Sequence, residues 1–104
     1  MAAPDAVLVQ TKDPDGRVVV VLARIWEDKI LRDHPELEGA LELVSGTIET
    51  PDHTEPDPRI GRHRYYRRQV GPSRWLLVVV SYEQEPGRVI TALATRKDPR
   101  QWKP

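Results

Sequence analysis

The chain has 104 residues, a length typical of one small domain, and we expect a single domain over residues 1–104. It contains no cysteine, which excludes disulfides and thiolate metal sites, and no apolar run approaches the ~20 residues of a membrane-spanning helix. Its 16 basic and 16 acidic residues cancel. Because the N-terminal residues also lack the pattern of a secretion signal, the sequence predicts a soluble, cytoplasmic protein.

The zero net charge conceals an uneven distribution. Residues 1–57 hold 13 acidic and 5 basic side chains, a balance of −8, and residues 58–104 hold 3 acidic and 11 basic ones, a balance of +8. Between Asp57 and Glu83 there is no carboxylate, although six arginines occur there. This asymmetry indicates either an anionic partner or neutralisation of the basic half by the acidic half within one fold, and composition leaves both open.

The first 22 residues predict a β-hairpin. Two β-branched runs, residues 6–11 and 17–22, flank the sequence Lys-Asp-Pro-Asp-Gly. Proline fixes one φ angle, aspartate supplies a side-chain acceptor and glycine tolerates a positive φ, so this segment is typical of a tight turn. We therefore expect an N-terminal hairpin over residues 6–22.

Two helices are predicted next. The first covers residues 24–31, where Trp26 and Ile30 are four apart and share one face. The second covers residues 33–48 and has Pro35 in its first turn. Its apolar positions follow the spacing of an amphipathic helix, at Leu37, Leu41, Val44 and Ile48.

The remaining chain predicts a three-stranded antiparallel meander over residues 62–70, 74–82 and 88–95, joined by short turn-rich connections. The middle strand is continuously apolar over residues 75–80 and should be central. Residues 50–58 contain three prolines and are expected to form a loop or an irregular edge.

The predicted fold class is therefore α+β: an N-terminal hairpin, two helices, and a three-stranded antiparallel sheet packed on the helices. A short basic tail over residues 98–104 follows the last strand.

Five short segments, taken in their order along the chain, resemble a family of small bacterial and phage-associated proteins in the barnase/EndoU/colicin/RelE-like nuclease superfamily. The resemblance covers residues 24–97, most of the chain. The common core of that superfamily is two helices followed by a four-stranded antiparallel sheet. The segments are IWEDKILRDHPEL, TIETPD, RYYRR, WLLVVV and VITALATRK.

This resemblance implies a metal-independent endoribonuclease of the transesterification type, acting as the toxin of a toxin–antitoxin pair. RNA and an antitoxin would then be partners, with a homodimer as a further option and no cofactor or membrane. One residue departs from the family pattern: Lys29 precedes Ile30 where the family tends to have histidine. The departure favours an alternative, a non-catalytic RNA- or protein-binding module on the same scaffold.

Metal-free RNA cleavage needs a proton acceptor, a proton donor and charge stabilisation at the phosphate. His34, between the two predicted helices, is a candidate acid or base, and its structural alternative is a helix cap. Lys29 is a second candidate, although on an uninterrupted helix it lies about 140° from His34. The three histidines lack the spacing of metal ligands, so no metal site is predicted.

The basic strand RHRYYRR presents two faces, because side chains alternate along a strand. Arg64 and Tyr66 lie on one face and form the favoured phosphate site. The other face offers Arg67 for phosphate and His63 for proton transfer. The structural alternative is that the arginine stems cover apolar surface while their charged ends are solvated.

Thr91 completes the predicted catalytic set, because the resemblance places it in the family's Thr-Ala strand, where a hydroxyl can donate to phosphate. Tyrosine on the basic strand is suited to stacking on an unpaired base. The predicted nucleic-acid-binding residues are Arg62, Arg67, Arg68, Tyr65, Arg96 and Lys97.

Overall fold

Six strands form one curved sheet across residues 6–99, the part of the chain that the computed structural model describes. Of the predicted basic tail, residues 100–104 lie outside this part. In sheet order the strands run β1-β2-β6-β5-β4-β3, and neighbours are antiparallel except for the parallel pair β2 and β6. Their bounds are β1 (Val7–Lys12), β2 (Val18–Leu22), β3 (His53–Pro56), β4 (Arg62–Arg68), β5 (Trp75–Ser81) and β6 (Gly87–Thr95).

The α+β class is confirmed, but the predicted number of strands in the sheet was wrong. The meander is present as β4, β5 and β6, with β5 in the middle and nearly all its side chains buried. The N-terminal hairpin extends the same sheet, because β2 pairs with β6 at Val19–Gly87 and Val20–Arg88. On the other side the Pro-rich segment forms β3, a short edge strand that pairs with β4 in continuous register.

Two helical segments pack against one face of this sheet. The first, α1, spans residues 23–33 and consists of α-helical turns at Ala23–Ile25 and Leu31–Asp33 around a π-helical stretch, Trp26–Ile30. The second, α2, spans Leu41–Glu49. The prediction of one helix over residues 33–48 was therefore wrong at its start.

The physical reason for this late start is Gly39. Its φ of +79° lies in the left-handed region that glycine adopts without strain, and it separates a 3₁₀ turn at Pro35–Leu37 from α2. His34 precedes the 3₁₀ turn without making a side-chain cap hydrogen bond. Leu37 is nevertheless fully buried, so the apolar spacing correctly identified a core position although its backbone is not α-helical.

The hydrophobic core lies between the helices and the helix-covered face of the sheet, called here the helix face. Trp26 and Ile30 of α1 are both buried, as their spacing predicts. From the sheet, Tyr65 of β4 and Val78 of β5 lie opposite each other and enter the same core. The opposite face of the sheet, called the open face, carries the alternate residues of each strand.

The turn between β1 and β2 reaches the side chain of Tyr65 in β4, although three strands separate β1 from β4 in sheet order. Helix α2 packs against β1, β4 and β5. At one end of the helix face, Tyr82 Oη donates a hydrogen bond to Asp13 Oδ2 at 2.8 Å. The Tyr65 hydroxyl lies 2.6 Å from Tyr82 Oη and donates to it, since the hydrogen of Tyr82 is directed at Asp13. We call these residues, with Arg17, the Asp13 cluster.

The Asp13 carboxylate also organises the hairpin turn. Its Oδ1 accepts the backbone N–H groups of Asp15 and Arg17, both at 2.9 Å, and its Oδ2 accepts Arg17 Nε at 2.7 Å. The Arg17 guanidinium lies 3.8 Å from the centre of the Tyr82 ring, a cation–π contact. The turn and its contacts with Tyr65 and Tyr82 therefore depend on one carboxylate.

Acid is expected to destabilise the protein through Asp13. Burial raises the pKa of this carboxyl, but hydrogen bonds from Tyr82 and Arg17 outweigh burial and hold the pKa below its usual value of 3.8. The unfolded chain takes up the proton first, so the stabilisation is complete above about pH 5 and is lost as pH falls through the lower folded pKa.

Urea midpoints measured from about pH 6 down to about pH 2.5 test this dependence. We expect the midpoint of the wild-type protein to fall more steeply below about pH 4 than that of Asp13→Asn, which cannot titrate at this position. Parallel curves for the two proteins would contradict the assignment.

Candidate nucleic-acid interface

The two faces of the basic strand β4 have different surroundings. The register of β4 with β5 is continuous from Arg62 to Arg68, so side chains alternate between the two faces along the whole strand. The open face carries Arg62, Arg64, Tyr66 and Arg68, and the helix face carries His63, Tyr65 and Arg67. Arg64 lies opposite Val79 of β5, which lies opposite Thr91 of β6. The row from Arg64 to Thr91 therefore crosses the middle of the open face.

A β-bulge at Ile90 shapes β6 beside this row. Val80 pairs with Val89 and Val79 pairs with Thr91, which leaves Ile90 as the extra residue. Its carbonyl accepts a hydrogen bond from Lys29 Nζ at 2.8 Å. Bulges redirect side chains at the sites where they occur. Here a lysine of α1 is hydrogen-bonded to the bulge at the rim of the open face.

A cleft of about 330 Å³ opens on this face, and we call it the cationic cleft. Its cationic side chains come from α1, from the β3–β4 turn and from β4. Its floor is apolar and belongs to β5 and β6. The described residues that line it are Lys29, Asp57, Pro58, Arg59, Arg62, Arg64, Leu77, Val79, Ile90, Thr91 and Leu93.

Charge in the cationic cleft is unbalanced. Four cationic residues and one carboxylate are among the described lining residues, which leaves three positive charges. The charge of Arg64 is partly neutralised by two carboxylates. Its Nε donates a hydrogen bond to Asp57 Oδ1 at 2.7 Å, and its Nη1 lies 3.6 Å from Glu55 Oε2. Lys29 and Arg59 are exposed and Arg62 is half-buried, so their charges can meet a ligand.

Asp57 stays ionised at neutral pH. Burial pushes the pKa of its carboxyl up, but hydrogen bonds from the Arg59 backbone N–H and from Arg64 hold it below the usual value. The Arg59 N–H lies 2.9 Å from Asp57 Oδ2. The cationic cleft therefore contains an ionised hydrogen-bond acceptor beside its cationic side chains.

The structure brings together three of the five predicted catalytic residues, Lys29, Arg64 and Thr91. Tyr66 lies on the same face but is buried, and its hydroxyl donates to Glu55 Oε2 at 3.2 Å. His34 lies outside the cleft, with Nδ1 3.6 Å from Glu36 Oε2.

The predicted binding residues fall into separate groups. Arg62 lines the cationic cleft. Tyr65 is 2% exposed and its hydroxyl is bound within the Asp13 cluster, which leaves no ring face for a base. Arg67 lies on the helix face, with Nη1 2.9 Å from where a side-chain carbon at Gly46 would stand. His63 lies edge-on to Tyr65 at 5.1 Å on the same face, and burial lowers its pKa.

A second depression of about 470 Å³, called here the distal cleft, receives the remaining predicted binding residues: Arg68, Arg96 and Lys97. The distal cleft also contains residues that sequence reasoning did not select, Arg74 and Trp75 among them. In the cationic cleft the residues missed are Asp57 and Arg59. The sequence could have identified Arg59, because it belongs to the arginine cluster that contains no carboxylate. It could not have identified Asp57, because only strand pairing places that residue beside Arg64.

No family model, curated protein or solved structure matches this chain. In the described part of the chain, no three His, Cys, Asp or Glu side chains are grouped so as to hold a metal ion. Within residues 6–99, no helix has the length and apolar character needed to cross a membrane. The chemistry of the open face is therefore the basis for assigning a function.

Proposed function

We propose that the protein binds single-stranded RNA in the cationic cleft. The observation that carries this proposal is the convergence of Lys29, Arg59, Arg62 and Arg64 from three separate elements on an apolar floor. Cationic side chains bind phosphate oxygens and release counterions, which is the main source of affinity for nucleic acids. Arginine adds two parallel hydrogen bonds to a phosphate.

The apolar floor and the Asp57 carboxylate favour an unpaired ribonucleotide as the ligand of the cationic cleft. Leu77, Val79 and Leu93 offer apolar contact to a base that has left its stack, and a cleft of about 330 Å³ is too small for a duplex. The Asp57 carboxylate is placed to accept a hydrogen bond from a ribose 2′-hydroxyl. DNA lacks that donor, so the same groups would prefer RNA.

Fluorescence anisotropy with a labelled single-stranded RNA of about 12 nucleotides tests the proposal. Lys29→Ala and Arg62→Ala are each expected to weaken binding about 5- to 10-fold and to reduce the salt dependence by about one phosphate contact. Arg32→Ala is the matched control, since its side chain is 69% exposed on α1 and outside the cleft. Equal losses for all three variants would mean non-specific attraction and would contradict the proposal.

A second candidate function is metal-independent RNA cleavage, and it is favoured by the presence of a carboxylate and a lysine in one cleft with Arg64. The ribose 2′-oxygen would attack the adjacent phosphorus and pass its proton to Asp57. Lys29 would give a proton to the departing 5′-oxygen, leaving a 2′,3′-cyclic phosphate and a 5′-hydroxyl. Arg64 would stabilise the phosphorane charge.

The same RNA, incubated with EDTA and resolved on a gel, distinguishes the two functions. Cleavage predicts a cyclic-phosphate product that is abolished by Asp57→Asn and retained by Arg32→Ala. If the RNA is bound tightly but stays intact, the protein binds RNA without cleaving it.

A further inference from the structure

The distal cleft lies on the same face of the sheet as the cationic cleft. Arg68, which lines it, shares the face of Arg64, because β4 and β5 pair without interruption between them. Arg68 lies opposite Trp75, and Trp75 lies opposite Thr95 of β6. The Trp75 ring meets the Tyr66 ring edge-on at 6.4 Å on this face. Both clefts are therefore parts of one surface.

The two clefts are neighbours along β4 and β5. Leu77 lines the cationic cleft and Trp75 lines the distal cleft, and these two residues of β5 are successive residues on the open face, about 7 Å apart. Arg64 and Arg68 are separated by the rise of four strand residues, about 13 Å. The Tyr66 and Trp75 rings between the clefts are 2% and 4% exposed, so a chain lying along β4 and β5 would pass above these covered rings from one cleft to the other.

The distal cleft is also lined by cationic side chains. Its described lining contains the arginines Arg68, Arg74 and Arg96, together with Lys97 and Asp98. All four cationic residues are exposed. They come from the end of β4, the β4–β5 turn and the segment after β6, so the fold and not one basic run brings these cations together.

We infer that the two clefts form one track for a single strand of RNA that runs along β4 and β5, with phosphates bound in each cleft. This inference rests on the proposed function and extends it, because it gives the path of the bound strand and its minimum length. A track of this length corresponds to about four to six nucleotides, at the short end of the range for small single-strand-binding domains. A ligand of two nucleotides would occupy only one cleft.

Arg74 provides the test, since it is exposed in the distal cleft and outside the cationic cleft. Anisotropy with an eight-nucleotide RNA is expected to show a 5- to 10-fold loss of affinity in Arg74→Ala, with the slope of log K against log salt reduced by about 0.7. Arg32→Ala should change neither quantity. Affinity should rise with RNA length up to about six nucleotides and then level off.

The outcomes separate the track from the proposed function. If Lys29→Ala weakens binding of the eight-nucleotide RNA while Arg74→Ala behaves as Arg32→Ala, the cationic cleft binds RNA alone and the track is wrong. If the affinity reaches its plateau at two nucleotides, the track is also wrong. If no RNA of any length binds, or Lys29→Ala has no effect, the proposed function itself fails.

Discussion

Replacing Asp13 with alanine is expected to lower the free energy of unfolding by about 3 kcal/mol, at the lower end of the cost of breaking a buried charge pair. The Asp13 side chain is fully buried, whereas that of Arg17 is 50% exposed, so the arginine can be resolvated after the change. The Tyr82 hydroxyl and the backbone N–H groups of the turn would lose an ionised acceptor. The hairpin turn and its contacts with Tyr65 and Tyr82 weaken together.

Urea unfolding followed by circular dichroism measures this effect. Asp15→Ala is the matched control in the same turn, because that side chain is 82% exposed and lies 3.8 Å from Arg17. We expect its effect to stay within about 0.5 kcal/mol. If the two variants unfold at the same urea concentration, the Asp13 cluster does not stabilise the fold.

Arg64→Ala is expected to cause the largest loss of RNA affinity of any single change in the cationic cleft, about 100-fold or about 2.8 kcal/mol. The change removes a phosphate ligand and also leaves Asp57 and Glu55 without their guanidinium partner. Two carboxylates would then repel the phosphate that Arg64 had attracted. Arg62→Ala removes one cation without exposing these carboxylates, which is why its expected loss is smaller.

The double variant Arg64→Ala/Asp57→Asn separates the two contributions to this loss. If repulsion by Asp57 matters, the double variant should bind RNA more tightly than Arg64→Ala, by about 5- to 10-fold. Circular dichroism of each variant verifies that the sheet is intact. An additional loss in the double variant would contradict the repulsion and would indicate that Asp57 mainly serves as a ligand for RNA.

Local pattern was sufficient to predict β4, β5 and β6, because each is a β-branched or alternating run ended by turn residues. Local pattern could not predict the parallel pairing of β2 with β6. The partners Val19 and Gly87 are distant in sequence, and nothing in either strand specifies the other. The start of α2 was misjudged because the apolar spacing continues through Leu37, while Gly39 interrupts the helix in the backbone.

The open-face residues of the site were partly predictable. Alternation paired Arg64 with Tyr66, and the structure places both on the open face. The position of Lys29 beside Thr91 depends on the bulge at Ile90 and on the parallel strand pairing, neither of which has a local signature. The basic segment is free of carboxylates in sequence, but β3 brings Glu55 and Asp57 against Arg64. Part of the charge is therefore neutralised within the fold.

The parallel pairing of β2 with β6 has a consequence for synthesis in the cell. Domains begin to fold as they emerge from the ribosome, but β2 can join the main sheet only after Gly87 and Arg88 have been made. Until then the hairpin has an unpaired edge carrying four consecutive valines, at positions 18–21. An unpaired apolar edge is a template for association with other chains. We therefore expect nascent chains that stop before Gly87 to depend on chaperones, and the same dependence should end once β6 is complete.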